Sequence, residues 1–101
     1  MTVVFREEAL ADLDEIARFI ARHNPDAADR VITRIYKTIY KTIYKTIDIL
    51  PLSGRLNRAN NTREYAVPGL PYLVIYVPVG EMIDVIAVFH TSRDPGSKRQ
   101  P

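Results

Sequence analysis

Two runs near the end of the chain, Tyr72 to Val77 and Met82 to Phe89, are dense in Val, Ile, Tyr and Phe and are joined through Val79-Gly80-Glu81. β-Branched and aromatic residues suit a pleated, half-buried surface, and so short a connection leaves the two strands no option but antiparallel pairing. A third run, Arg63 to Val67, ends at Pro68-Gly69, a second turn signal, so the three make a meander. A sheet of this kind needs a covering layer, and the first half of the chain supplies one.

Thr2 to Phe5 reads as a first strand, and a helix follows over about Arg6 to His23. Glu7, Glu8, Asp12, Asp14 and Glu15 crowd its start and Arg18 and Arg22 its end, as the helix dipole favours. Leu10, Leu13, Ile16, Ala17 and Ile20 recur at steps of three and four, which predicts one apolar face. Asn24-Pro25 caps and opens a second helix, with Pro25 at its first position. Helices joined so closely lie antiparallel. His23, at the end of the first, compensates the dipole.

The second helix is predicted over Pro25 to Leu50 and contains three perfect copies of Tyr-Lys-Thr-Ile, Tyr36 to Ile47. As a strand, each face would mix apolar and polar residues; as a helix, Ile35, Ile39, Ile43 and Ile47 form a stripe with Lys37, Lys41 and Lys45 outside. Four residues turn about 400° at 3.6 per turn, so the stripe should drift about 40° per copy. The first helix should span about 27 Å and the second about 39 Å, leaving an overhang of about 12 Å. That overhang carries Ile43, Ile47 and Ile49, which need a partner: the Pro51 to Asn61 connection, the sheet edge, or a second copy of the chain in a homo-oligomer. The identity of the copies suggests a recent duplication or a deliberate insertion.

A chain of 101 residues, 47% hydrophobic and 26% charged, is sized for one domain with one core. It is expected over residues 1–95, with 96–101 as a loose tail. No cysteine is present, which removes disulfide and thiolate chemistry and suits a reducing cytoplasm. A net charge of +2 and a pI near 9.0 fit an acidic partner or RNA without making a polycationic arm. Neither a secretory leader nor an apolar run of about 20 residues is present, so no membrane insertion is expected.

Taken together, ALADLDEIARFIARHNPDAADRVITRI, LPLSGR, REYAVPGLPYLVIYV and MIDVIAVFHTSRDP resemble, in order and spacing, the RelE/ParE family of small bacterial toxins over residues 3 to 95. The resemblance implies an α+β fold of order β-α-α-β-β-β, a helical hairpin packed on a mainly antiparallel four-stranded sheet. It implies the toxin of a type II toxin-antitoxin pair, of the plasmid-stabilization type, neutralised by a cognate antitoxin protein whose C-terminal segment covers part of the hairpin and sheet. ParE-like members, which the chain resembles more closely, poison DNA gyrase as binding proteins. RelE-like members cleave mRNA on the ribosome, and that remains an alternative, as does an engineered or inactive variant disabled by the repeated helix.

Cleaving RNA would need a base for the 2′-OH, an acid for the leaving oxygen and cations for the phosphate. His90 is the one candidate acid or base at a strand end, with Arg55, Arg63 and Arg93 as phosphate ligands. The set is thin, so binding is favoured over endoribonuclease catalysis, with Arg93, Lys98 and Arg99 as the target-binding cations. Tyr65, Tyr72 and Tyr76 alternate with aliphatic residues and read as core rather than as base-stacking platforms. No Gly-rich phosphate loop or metal-ligand cluster is visible, so neither metal nor cofactor is expected.

Overall fold

The computed structural model describes residues 2–43, 55–57 and 62–92. Strand β1 (Thr2–Phe5) leads into helix α1 (Glu7–Ala21) and helix α2 (Pro25–Lys37), which runs on as a π-helical segment, Thr38–Ile43. Strands β2 (Arg55–Asn57), β3 (Thr62–Ala66), β4 (Tyr72–Val79) and β5 (Met82–His90) follow. They form one sheet in the order β1-β5-β4-β3-β2. The expected helical hairpin on a mainly antiparallel sheet is present, and all four expected strands form. The sheet nevertheless has five strands rather than four: Arg55–Asn57, placed by the sequence inside an irregular connection, pairs antiparallel with β3 as a short edge. Three residues are too few to announce themselves by alternation.

Local signals account for the elements. Asn24 is extended and its side-chain oxygen accepts the Ala27 N–H at 3.1 Å, with Pro25 at the first helical position. Gly80 opens the two-residue turn between Val79 and Met82 at φ +57°, a conformation that costs any residue with a Cβ. Because the helical hairpin intervenes between β1 and the meander, the chain can return beside its own start: β1 pairs parallel with β5, Phe5 opposite Val85.

The helices cover one face of the sheet. Ala9 and Leu13 of α1 and Ile35, Ile39 and Ile43 pack on Val74, Tyr76, Val85 and Val88. Tyr72 and Tyr76 are buried, as core residues rather than stacking platforms. A second cluster, Ile75, Ile86, Ala87 and Phe89, is buried on the opposite face. The division between the faces depends on one irregularity: Ile75 pairs with Ala87 but Tyr76 with Val85, so Ile86 is an extra residue in β5. Such a bulge reverses which side chains point to which face. Ile83 and Val85 face the helices before it, and Val88 and His90 after it.

Drift of the isoleucine stripe does not occur over the described residues, since Ile35, Ile39 and Ile43 are each 0% exposed. The π-helical segment explains this. Its i→i+5 hydrogen bonding widens the turn beyond four residues, so a four-residue step rotates by less than a full circle and offsets the excess rotation of the α-helical part. Thr38 adds a hydroxyl bond to the Arg34 carbonyl at 2.9 Å where the two geometries meet. The helix is continuous through Ile43, and the rest of the expected overhang, with Ile47 and Ile49, lies outside the described residues.

Candidate functional site

Strand β1 ends at Phe5, opposite Val85, and β5 continues five residues farther. Beyond that point its outer edge has no neighbouring strand among the described residues. Helix α1 runs alongside instead, and Asp12 reaches across so that its Oδ2 accepts the Val88 backbone N–H at 2.9 Å, capping a donor that a longer β1 would have paired. Between α1 and this edge lies a groove of about 730 Å³. Tyr72, Val88 and His90 form its floor, Ile16 and Phe19 its apolar wall, and Glu15, Arg18 and Arg22 its charged rim. Phe19 is 61% exposed, an unusual position for so large an apolar side chain.

His90 stands at the end of β5, exposed, its ring edge-on to Tyr72 at 5.5 Å. The Ser92 backbone N–H donates to Nδ1 at 3.2 Å and the Ser92 hydroxyl lies 2.8 Å from the same nitrogen. An accepting Nδ1 puts the proton of the neutral ring on Nε2. The cations that the sequence suggested as its helpers are elsewhere. Arg63 is opposite Tyr76 on β3, four residues along and two strands across, a Cα separation of about 16 Å by strand geometry. Arg55 is on the edge strand β2, its Cα opposite that of Glu64, three strands away from β5. Arg93, Lys98 and Arg99 lie outside the described residues.

The cations that do share the groove with His90 are Arg18 and Arg22 of α1, and Arg18 is already committed to Asp14 at 2.8 Å. The sequence marked Arg18 and Arg22 only as the basic end of the first helix and did not single out Phe19. One signal was available: Phe19 falls on the polar flank of the Leu10, Leu13, Ile16, Ala17, Ile20 stripe, where packing within the chain does not call for an aromatic ring. The strong Arg6 to Asp84 pair, with Nε and Nη2 donating to Oδ2 at 3.1 and 2.8 Å, belongs to the other end of β5 and ties α1 to the sheet. That hydrogen bond raises the Arg6 pKa further above its ordinary value.

Burial raises the Tyr72 phenol above its usual 10.0. The unfolded chain therefore loses this proton first, so the associated stability is present below about pH 10 and lost as pH climbs through the folded value. Alkaline denaturation curves should fall off above pH 10 in the native protein and less steeply in Tyr72→Phe. Equal slopes would show that Tyr72 titrates as it does in water.

Among the described residues no three His, Asp or Glu side chains converge as metal ligands, and no helix is long and apolar enough to cross a membrane. A family model for the ParE toxin of the type II toxin-antitoxin system, parDE, matches residues 3–95. The toxin candidate Y4kP of Sinorhizobium fredii is 35% identical over 85 residues, 81% of this chain and 79% of its own length. A solved structure of the chromosomal ParDE toxin-antitoxin system from P. aeruginosa superposes with a TM-score of 0.72 at 18% identity, covering 89% of this chain and 95% of that one. The helical hairpin over one sheet face agrees with the fold of that neighbour, and with a family match running almost from end to end the chain belongs to the ParE toxin family of type II toxin-antitoxin systems.

Proposed function

We propose that this protein inhibits DNA gyrase by binding it in the cytoplasm, and that a cognate antitoxin neutralises it by laying an apolar segment into the groove between α1 and the open edge of β5. Family membership supports a binding toxin over an enzyme. The observation that carries the reading at the site is that the suggested nuclease set does not assemble: Arg63 lies about 16 Å from His90 by strand geometry, and Arg18, which shares the His90 groove, is paired with Asp14, whereas Phe19, Ile16, Tyr72 and Val88 give that groove an apolar lining. Proton transfer in a nuclease needs its acid, base and phosphate ligands within hydrogen-bond reach of one scissile group, and a groove with an exposed aromatic wall needs none of that to bind a protein. The cations proposed for the target contact are Arg93, Lys98 and Arg99.

Expression in bacteria with separate readouts of the DNA damage response and of mRNA cleavage distinguishes gyrase from ribosome. His90→Ala should leave growth inhibition within about tenfold of the unaltered toxin and keep the DNA damage signal, since no proton passes through the ring. A loss of several orders of magnitude with the fold intact, or mRNA cleavage that vanishes with the imidazole, would sink the binding reading in favour of a nuclease.

A further inference from the structure

The outer surface of α2 and its π-helical extension holds a row of cations that the groove does not use. Arg30, Arg34, Lys37 and Lys41 follow one another at steps of four, three and four, all exposed, with Arg30, Lys37 and Lys41 on the side of the helix opposite Ile35 and Ile39 and Arg34 on the flank toward Pro68. The row is about 16 Å long with a positive charge every 5 to 6 Å. Of the other described cations, Arg6 is paired with Asp84 and Arg18 with Asp14, while Arg22 and Arg63 stand singly and form no row. Among the described residues no acidic side chain pairs with any of these four. Arg34 is held in place by a neutral acceptor, its Nη1 donating to the Pro68 carbonyl at 3.1 Å, which fixes the guanidinium without quenching its charge. Beside it, Arg30, Thr33, Arg34 and Lys37 enclose a shallow hollow of about 310 Å³ together with Asp29.

We infer that this row is a binding ridge for the phosphate backbone of duplex nucleic acid, independent of base sequence. A line of four cations, none in an ion pair among the described residues and with Asp29 as the one acid in its hollow, attracts a polyanion, and two observations favour phosphates over an acidic protein. Protein interfaces are depleted of lysine and anchored by aromatic or aliphatic side chains, whereas the row itself is all cations and the half-exposed ring beside it, Tyr40, is already stacked on Tyr36 and tilted against Phe5. A straight, evenly charged ridge with a flanking Thr33 hydroxyl matches instead a surface whose charge is evenly spaced and whose oxygens only accept hydrogen bonds. Over its two described copies the Tyr-Lys-Thr-Ile repeat thereby has two periodic faces, Ile39 and Ile43 into the core and Lys37 and Lys41 onto the ridge.

Fluorescence anisotropy of the whole protein with a labelled duplex of about 25 base pairs, over a salt series from about 50 to 200 mM, tests this. Four phosphate contacts predict a slope of log K against log salt of about −3.6. Lys37→Gln with Lys41→Gln, both exposed and neutral to the fold by circular dichroism, should bring it to about −1.8 and weaken binding equally on unrelated sequences. No binding at the lowest salt, a slope unchanged in the double variant, or polyglutamate displacing the duplex at equal charge concentration would each overturn the proposal. The last would point to an acidic protein partner. The assay contains neither gyrase nor antitoxin, so its result leaves the toxin reading untouched.

Discussion

Replacing Ile39 with alanine is expected to destabilise the protein by about 2–5 kcal/mol, the range for truncating a fully buried aliphatic side chain and leaving a cavity behind. For a chain of this size that corresponds to a fall in Tm on the order of 15 °C. The informative comparison is Ile43→Ala. Were the repeat wound as a plain α-helix, the stripe would have drifted by about 80° between Ile35 and Ile43, moving Ile43 toward the flank where truncation costs little. With the π-helical turn in place Ile43 is as buried as Ile35, so both truncations should cost amounts similar to that of Ile39→Ala. Thermal or urea unfolding of the three variants, with Lys37→Ala as an exposed control expected within about 0.5 kcal/mol of the native protein, decides it. An Ile43→Ala effect as small as the control would show that the second copy of the repeat leaves the core.

Antitoxin affinity should depend most heavily on Phe19. It is the largest exposed apolar side chain on the groove wall, and an aromatic ring buried at the centre of an interface characteristically carries about 2 kcal/mol or more of the binding energy. Phe19→Glu should therefore raise the dissociation constant by at least about 30-fold, since 1.4 kcal/mol is a factor of ten, and should lower the Tm of the isolated toxin little because the ring is exposed there. In cells the variant should remain toxic yet escape rescue by co-expressed antitoxin. Calorimetry with the antitoxin C-terminal peptide measures the first effect and a rescue assay the second. Unchanged affinity would place the antitoxin on another surface, and loss of toxicity together with affinity would assign the groove to the target as well.

How much of this was legible beforehand follows from the range of the interactions involved. The helices, their hairpin, the turns at Pro68-Gly69 and Gly80, and the buried tyrosines are each specified within a few residues, by a cap, a period of 3.6 or of 2, or a glycine able to take positive φ. The candidate site was legible only in part: His90 was visible as a lone titratable group at a strand end, but its company was not. Arg63 and Arg55, the helpers suggested by the sequence, are set apart from it by strand order, on β3 and β2 in a sheet ordered β1-β5-β4-β3-β2. Arg18, Arg22 and Phe19, on a helix some 70 residues earlier, line its groove instead.

The sequence by itself determined the layers of this protein: a strand, two amphipathic helices and a β-meander with one apolar face turned toward them, because each of those features is a local periodicity. Only the tertiary structure decided that β1 lies parallel against the last strand and stops at Phe5, which opens the edge of β5 that Asp12 caps. It also decided that Ile86 is an extra residue opposite β4, so that Val88 and His90 turn into the groove and Phe89 away from it. A run of Val-Ile-Ala-Val-Phe is apolar at every position and carries no parity of its own. Its facing is fixed by where hydrogen bonds to a neighbouring strand begin, and that is a property of the pair.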